Sequence, residues 1–200
     1  MQFSTLALAV LSIGSVLGAP ATMTRSDPKV LANAIIAASD TKTAVGTQVV
    51  IIKNLVQSAN SAAVSGIRAS LQNIAAEISS ATKFAVPLVT DVALPFAQQE
   101  FDNLPGFVGN VKDIAADVES AANLLLGNLS QQSLLLVKTE ALLALATVNP
   151  FVQPVTQFAA SAITGTSGPS TTIISSNIAT AQDIAGQIQG PITAAFTKVV

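Results

Sequence analysis

Apolar residues recur at every third or fourth position along three long stretches of this chain. The first runs Leu31, Ile35, Ala38, Lys42, Val45, Val49, Ile52, Val56 and Ala59, with Lys42 as its one polar intruder. The second runs Val64, Ile67, Leu71, Ile74, Ile78, Ala81 and Ala85, leaving Arg68, Asn73, Glu77 and Lys83 off the seam. The third runs Leu104, Phe107, Val111, Ile114, Val118, Ala121 and Leu125, with Lys112, Asp113, Asp117 and Glu119 elsewhere. Such spacing gathers apolar side chains on one side of a helix, whereas a strand alternates with period two. The pattern predicts an all-α fold, a bundle of about five to seven amphipathic helices.

Helix breakers divide the seams. Ser26-Asp27-Pro28 offers caps and a first-turn proline, and Asn60-Ser61 can cap the next helix. Pro87 and Pro95 interrupt the chain after the second seam, and Leu104-Pro105-Gly106 interrupts it again. Gly127-Asn128 reads as a helix end and Ser130 as the cap of a Leu-rich helix from about Gln131 to Val148, which Asn149-Pro150 stops. A shorter helix carries Phe151, Val155, Phe158 and Ala162 into Gly165, and a last series runs Ile174, Ile178, Ala181, Ala185 and Ile188 until Gly190-Pro191. Between them, residues 164–172 are rich in Ser, Thr and Gly and read as a flexible connection. The expected domains are thus a bundle over 22–163, that connection, and a helical extension over 173–200.

The N-terminus changes the picture of compartment. Leu6 to Leu17 is almost purely apolar and ends in Gly18-Ala19-Pro20-Ala21. It is too short to span a bilayer, and its small residues suit signal peptidase, so residues 1–21 read as a signal peptide cleaved after Gly18 or Ala21. A secreted chain without disulfides must be held by packing alone, which favours long helices sharing one seam. Past the first run no unbroken apolar stretch reaches the roughly 20 residues that a spanning helix needs, so no transmembrane segment is expected. The end, Ile192 to Val200, is short and carries Lys198, a poor match to a glycolipid-anchor tail.

Composition removes most chemistry. The 200 residues include no His, Cys, Trp or Tyr, and 9 Lys+Arg stand against 11 Asp+Glu, a formal net charge of -2. A catalytic imidazole, a thiolate and the usual ligands of zinc, haem or iron–sulfur sites are therefore missing, so no metal and no cofactor are expected. The lack of a basic excess argues against nucleic acid. Ser39-Asp40-Thr41-Lys42 and Ser80-Ala81-Thr82-Lys83 satisfy S-x-x-K without the S-D-N or K-T-G that accompanies it in penicillin-recognising enzymes. Asp113, Asp117 and Glu119 are the only paired carboxylates worth weighing, and no aromatic sugar platform surrounds them. A solvated helix face explains them, and no enzyme is expected.

What remains is apolar. No residue between Glu140 and Asp183 is charged, a feature of surface meant to meet something apolar or of a sugar-decorated tail. Asn128-Leu129-Ser130 is an N-glycosylation sequon at an expected turn. The phenylalanines cluster near prolines: Phe84 by Pro87, Phe96 by Pro95, Phe101 and Phe107 around Pro105, Phe151 and Phe158 around Pro150 and Pro154. Phe beside Ala at helix breaks leaves irregular space in which a bundle can hold an apolar ligand, so these six are candidate ligand contacts. Filling the ends of an Ala-rich core is the plainer account of them, because a packed interior is what Phe usually indicates.

The order of features resembles the fungal secreted proteins called hydrophobic surface binding protein A and cell wall galactomannoproteins. The resemblance rests on the signal segment ending Val16-Leu17-Gly18-Ala19-Pro20, a helix beginning near Pro28, the aromatic-poor amphipathic helices, and the Leu-rich helix before Asn149-Pro150. It spans about Asp27 to Thr164. It implies an all-α bundle outside the cell or in its wall that adsorbs to hydrophobic surfaces or holds fatty-acid-like lipids. Its further implied partners are a secreted esterase recruited to an apolar substrate and cell-wall glycan. The missing anchor tail departs from the longer wall-bound members. The expected function is therefore a secreted, non-enzymatic protein that binds apolar surfaces or lipids, with a structural mannosylated wall protein as the alternative and a Ser-Lys or carboxylate hydrolase behind both.

Overall fold

In the computed structural model, residues 28–58, 61–92 and 98–199 are described, all in helices and their connections, with no strand among them. The expected signal peptide, Ala59 and Phe96 lie outside the described residues. Five long helices, α1 (Pro28–Val56), α2 (Ser61–Ala85), α4 (Gln98–Asn128), α5 (Gln131–Ala162) and α6 (Pro169–Gln187), are joined by the short α3 (Pro87–Asp91) and α7 (Thr193–Thr197). The seams fold as their spacing dictates. Every seam residue of α2, from Val64 to Ala85, and of α4, from Leu104 to Leu125, is buried. Ser130 caps α5, its Oγ accepting from the Ser133 backbone N–H at 3.3 Å.

Three expected breaks are not breaks. α5 continues through Pro150 and Pro154 to Ala162, and α4 begins at Gln98 and runs through Pro105. Proline removes one hydrogen bond and crowds the preceding turn, at a cost of about 3 kcal/mol. In α5 the buried stripe Val148, Val152, Val155, Ala159 and Ala162 carries on in register past both prolines, while Pro150 faces solvent, where water can serve the freed carbonyl. At Gly190-Pro191 the helix widens into a π turn, Ile188–Ile192, and resumes as α7. The Ser/Thr/Gly-rich connection is shorter than its composition suggests, because α6 starts at Pro169. Gly165 and Gly168 make the turn at φ of 78° and 135°, where a side chain would be strained.

Connection lengths set the topology. Two residues link α4 to α5 and four link α1 to α2, so each pair is an antiparallel hairpin. α1 packs on α2 and α4, and α5 packs on α2 and α4, which puts α1 diagonal to α5 and α2 diagonal to α4. Lys42 meets Asp113 and Gly46 faces Asp117, a constant register that makes α1 and α4 parallel. α2 therefore ends, and α4 begins, at the same end of the bundle on diagonal corners, and residues 86–92 set out on the path between them. α3 lies on that path, touching α1, α2 and α5, with Leu88 buried. α6 fills the groove between α4 and α5, so the expected C-terminal extension shares the same core, including Ile174, Ile178 and Phe196. Lys138 ties down the end by donating to the Thr197 and Val199 carbonyls at 3.1 and 2.8 Å.

Candidate interaction face

α5 sits at the centre of the fold and carries its most unusual surface. The run Leu134-Leu135-Leu136-Val137 spans more of the helix circumference than one buried stripe can hold. Leu134 and Val137 enter the core, leaving Leu135 and Leu136 at 43% and 56% exposure. Two turns on, Leu142 is half-buried and Leu143 is 53% exposed. Every residue that α5 exposes is uncharged, including Gln132, Thr139, Ala146 and Pro150. Its two charges are otherwise engaged: Lys138 holds the C-terminal carbonyls, and Glu140 is buried against α2. α6 adds only Asp183, so the α5–α6 side is almost free of charge, while Asp40, Lys53, Glu77, Lys83 and Asp102 stand on the other helices.

Length and composition also mark α1 and α5 as the two helices able to cross a membrane, Lys29–Val56 and Gln131–Ala162. Length and composition alone decide this, and the core helix of a bundle passes the same test, since polar but uncharged residues interrupt its apolar runs without adding the charges that oppose burial in lipid. In the bundle one stripe of each helix is buried in the core and the rest faces outward.

Among the described residues, five of the six candidate phenylalanines are placed, and these five do not form one site. Phe107, Phe151 and Phe158 lie in the packed core, Phe101 is half-buried against it, and Phe84 is 42% exposed at the end of α2. In the middle of the bundle, among Leu71, Ile74, Val118, Leu125, Ala141 and Leu145, the free space is about 10 Å³. That is about the room one water molecule needs and far below that of an acyl chain. At this level an apolar ligand has room outside the bundle, or inside only if helices part.

The polar clusters are structural in geometry. Arg68 on α2 donates through Nε and Nη2 to Glu140 Oε1 at 2.9 and 2.6 Å. This bond holds the Glu140 carboxyl below its ordinary range, against the opposing effect of burial. Glu140 Oε2 is buried without a hydrogen-bond partner, so the carboxylate depends on that arginine. Between α1 and α4, Lys42 and Lys112 lie 2.6 and 3.2 Å from Asp113. Burial alone would raise the Asp113 carboxyl, but its two lysines outweigh that and hold it low. Asp117, facing Gly46, is raised by burial and then by the neighbouring Asp113 charge. Lys42 of the first S-x-x-K thus serves as the partner of Asp113, and Ser80 and Lys83 of the second are both exposed. Among the described residues no group of three or more Asp or Glu could hold a metal ion. Asn128 is exposed at the end of α4, its Nδ2 donating to the Leu124 carbonyl at 2.8 Å.

No family model matches the chain, and neither a curated protein nor a solved structure matches it.

Proposed function

We propose that this chain is a secreted, non-enzymatic helical protein that binds apolar surfaces or lipids through the outer face of α5. The observation that carries the reading is the set of half-exposed leucines, Leu135, Leu136 and Leu143, on a face without charge. Together they leave about one and a half leucine side chains in water, and burying one is worth about 1.5–3 kcal/mol. Docking the intact bundle requires no helix to move. The resemblance drawn from the sequence agrees with this function, and a secreted esterase brought to the same surface is the protein partner it implies.

The test is partition onto octyl-coated beads and phosphatidylcholine vesicles. Adsorption driven by apolar burial strengthens with sulfate, because excluded kosmotropes favour burial. Release by about 1 M sodium chloride, which screens charge within about 3 Å, would replace the reading with an electrostatic one. Native mass spectrometry of the secreted protein separates surface adsorption from a lipid carried inside. A second reading, a mannosylated wall component without a ligand, is favoured by the exposed hydroxyls of Ser161, Thr164, Thr166, Ser175 and Thr180. Heavy O-linked sugar on these residues with no adsorption would select it.

A further inference from the structure

On the uncharged side of the bundle, a cleft of about 240 Å³ opens between α5 and α6. Asn149 and Gln153, one turn apart on α5, and Gln182 on α6 line it with three carboxamides. Val152 and Ala185 supply its apolar part. Thr156 is buried and its hydroxyl already committed, donating to the Gln153 carbonyl at 3.1 Å and accepting from Gln182 Nε2 at 3.4 Å. That second bond steadies the Gln182 amide at the cleft.

We propose that this cleft binds one neutral sugar ring at the end of a glycan. A carboxamide offers donors and an acceptor on one planar group and carries no charge. A sugar hydroxyl is likewise both donor and acceptor, so three carboxamides can pair with neighbouring hydroxyls whichever way each proton points. No ionised side chain lines the cleft, so nothing in it selects an anion or a cation. Its volume falls below the roughly 300–1,000 Å³ of sites for drug-sized ligands, which suits a single ring. The apolar leucines of α5 are not part of the cleft, and the inference stands apart from the adsorption reading.

The experiment is an NMR titration of the full chain with methyl α-mannopyranoside, methyl β-glucopyranoside and mannotriose, with glucose 6-phosphate as the charged counterpart. Saturable shifts of the Asn149, Gln153 and Gln182 side-chain amides are expected with at least one neutral ring, with mannotriose binding no more weakly than the mannoside. Gln153→Ala and Gln182→Ala should each weaken binding about three- to tenfold, the range for one lost hydrogen bond. Both residues are exposed, and Thr156 keeps its bond to the Gln153 carbonyl, so both variants should melt as the parent does. A double variant, Leu136→Gln with Leu143→Gln, should bind sugar unchanged. No saturation by about 50 mM, where a millimolar site would be nearly full, overturns the proposal. So do shifts that survive both amide substitutions, and rejection of mannotriose overturns the glycan-end assignment.

Discussion

Replacing Leu136 and Leu143 together by Gln removes apolar area from the outer face of α5 while leaving its core stripe untouched. The two residues are 56% and 53% exposed, so together they present about one whole leucine side chain to water. Burying that much against an apolar surface is worth about 2 kcal/mol, and its loss corresponds to a roughly thirtyfold fall in partition coefficient. The entropy lost on adsorption is common to parent and variant and cancels in the difference. Leu and Gln have similar helix propensity, so the fold should survive, as a circular dichroism melt can check. The control is Ile36→Gln with Val50→Gln, each residue 58% exposed on α1, diagonal to α5. It removes a comparable area from the wrong face and should change partition by no more than about twofold, the scatter of ordinary surface substitutions. Equal losses in the two variants, or no loss in either, would refute α5 as the adsorbing face.

Four further outcomes follow from the packing and the charges. Phe107→Ala should cost about 3–5 kcal/mol in urea unfolding, while Phe84→Ala at the exposed end of α2 should stay within about 0.5 kcal/mol. Gly106→Ala should stabilise by about 0.5–1 kcal/mol, since Gly106 lies inside α4 and a Cβ there meets nothing within 4 Å. The folded Glu140 carboxyl is held below its unfolded value by Arg68, so its stabilisation is present above the unfolded carboxylate range and lost as pH falls through the folded value. Melts across that acid range should therefore slope less steeply in Glu140→Gln than in the parent. Asp117 has the opposite sign: its raised folded value disfavours the ionised fold at neutral pH, so Asp117→Asn should raise the neutral-pH Tm and remove that residue's gain on acidification.

The seams were legible because helical period and burial are one geometric fact. All of Val64 to Ala85 in its three-four spacing, and all of Leu104 to Leu125, point inward. The same rule, followed past Pro150, joins Val148 to Val152 and Val155 in one helix; an unbroken buried stripe outweighs the local preference of proline. The pairing of α1 with α4 was not legible. Two short links leave only antiparallel hairpins, but residues 86–97 are long enough to run along an edge or across the end, and only packing chooses. How the phenylalanines divide between core and surface was not legible for a related reason. Each neighbours a proline in sequence, yet Phe107 and Phe151 face the core while Phe84 faces out, because position on the helix circumference decides exposure.

Leu134-Leu135-Leu136 held the clue to the candidate face, since three consecutive leucines cannot all enter one stripe. The crossed topology then determines what that clue means. With α2 and α4 on two sides and α6 in the groove beside it, α5 buries the stripe that a soluble bundle needs and still keeps an arc of leucine, threonine, alanine and proline outward. A charge on that arc would have cost the fold little, because exposed positions of α1, α2 and α4 carry Asp40, Glu77 and Asp102. Folding alone therefore does not account for a charge-free outer face on the same helix that Arg68 anchors through Glu140. The proposed apolar partner would account for it, and the Arg68–Glu140 bond keeps that face turned outward by fixing α5 against α2.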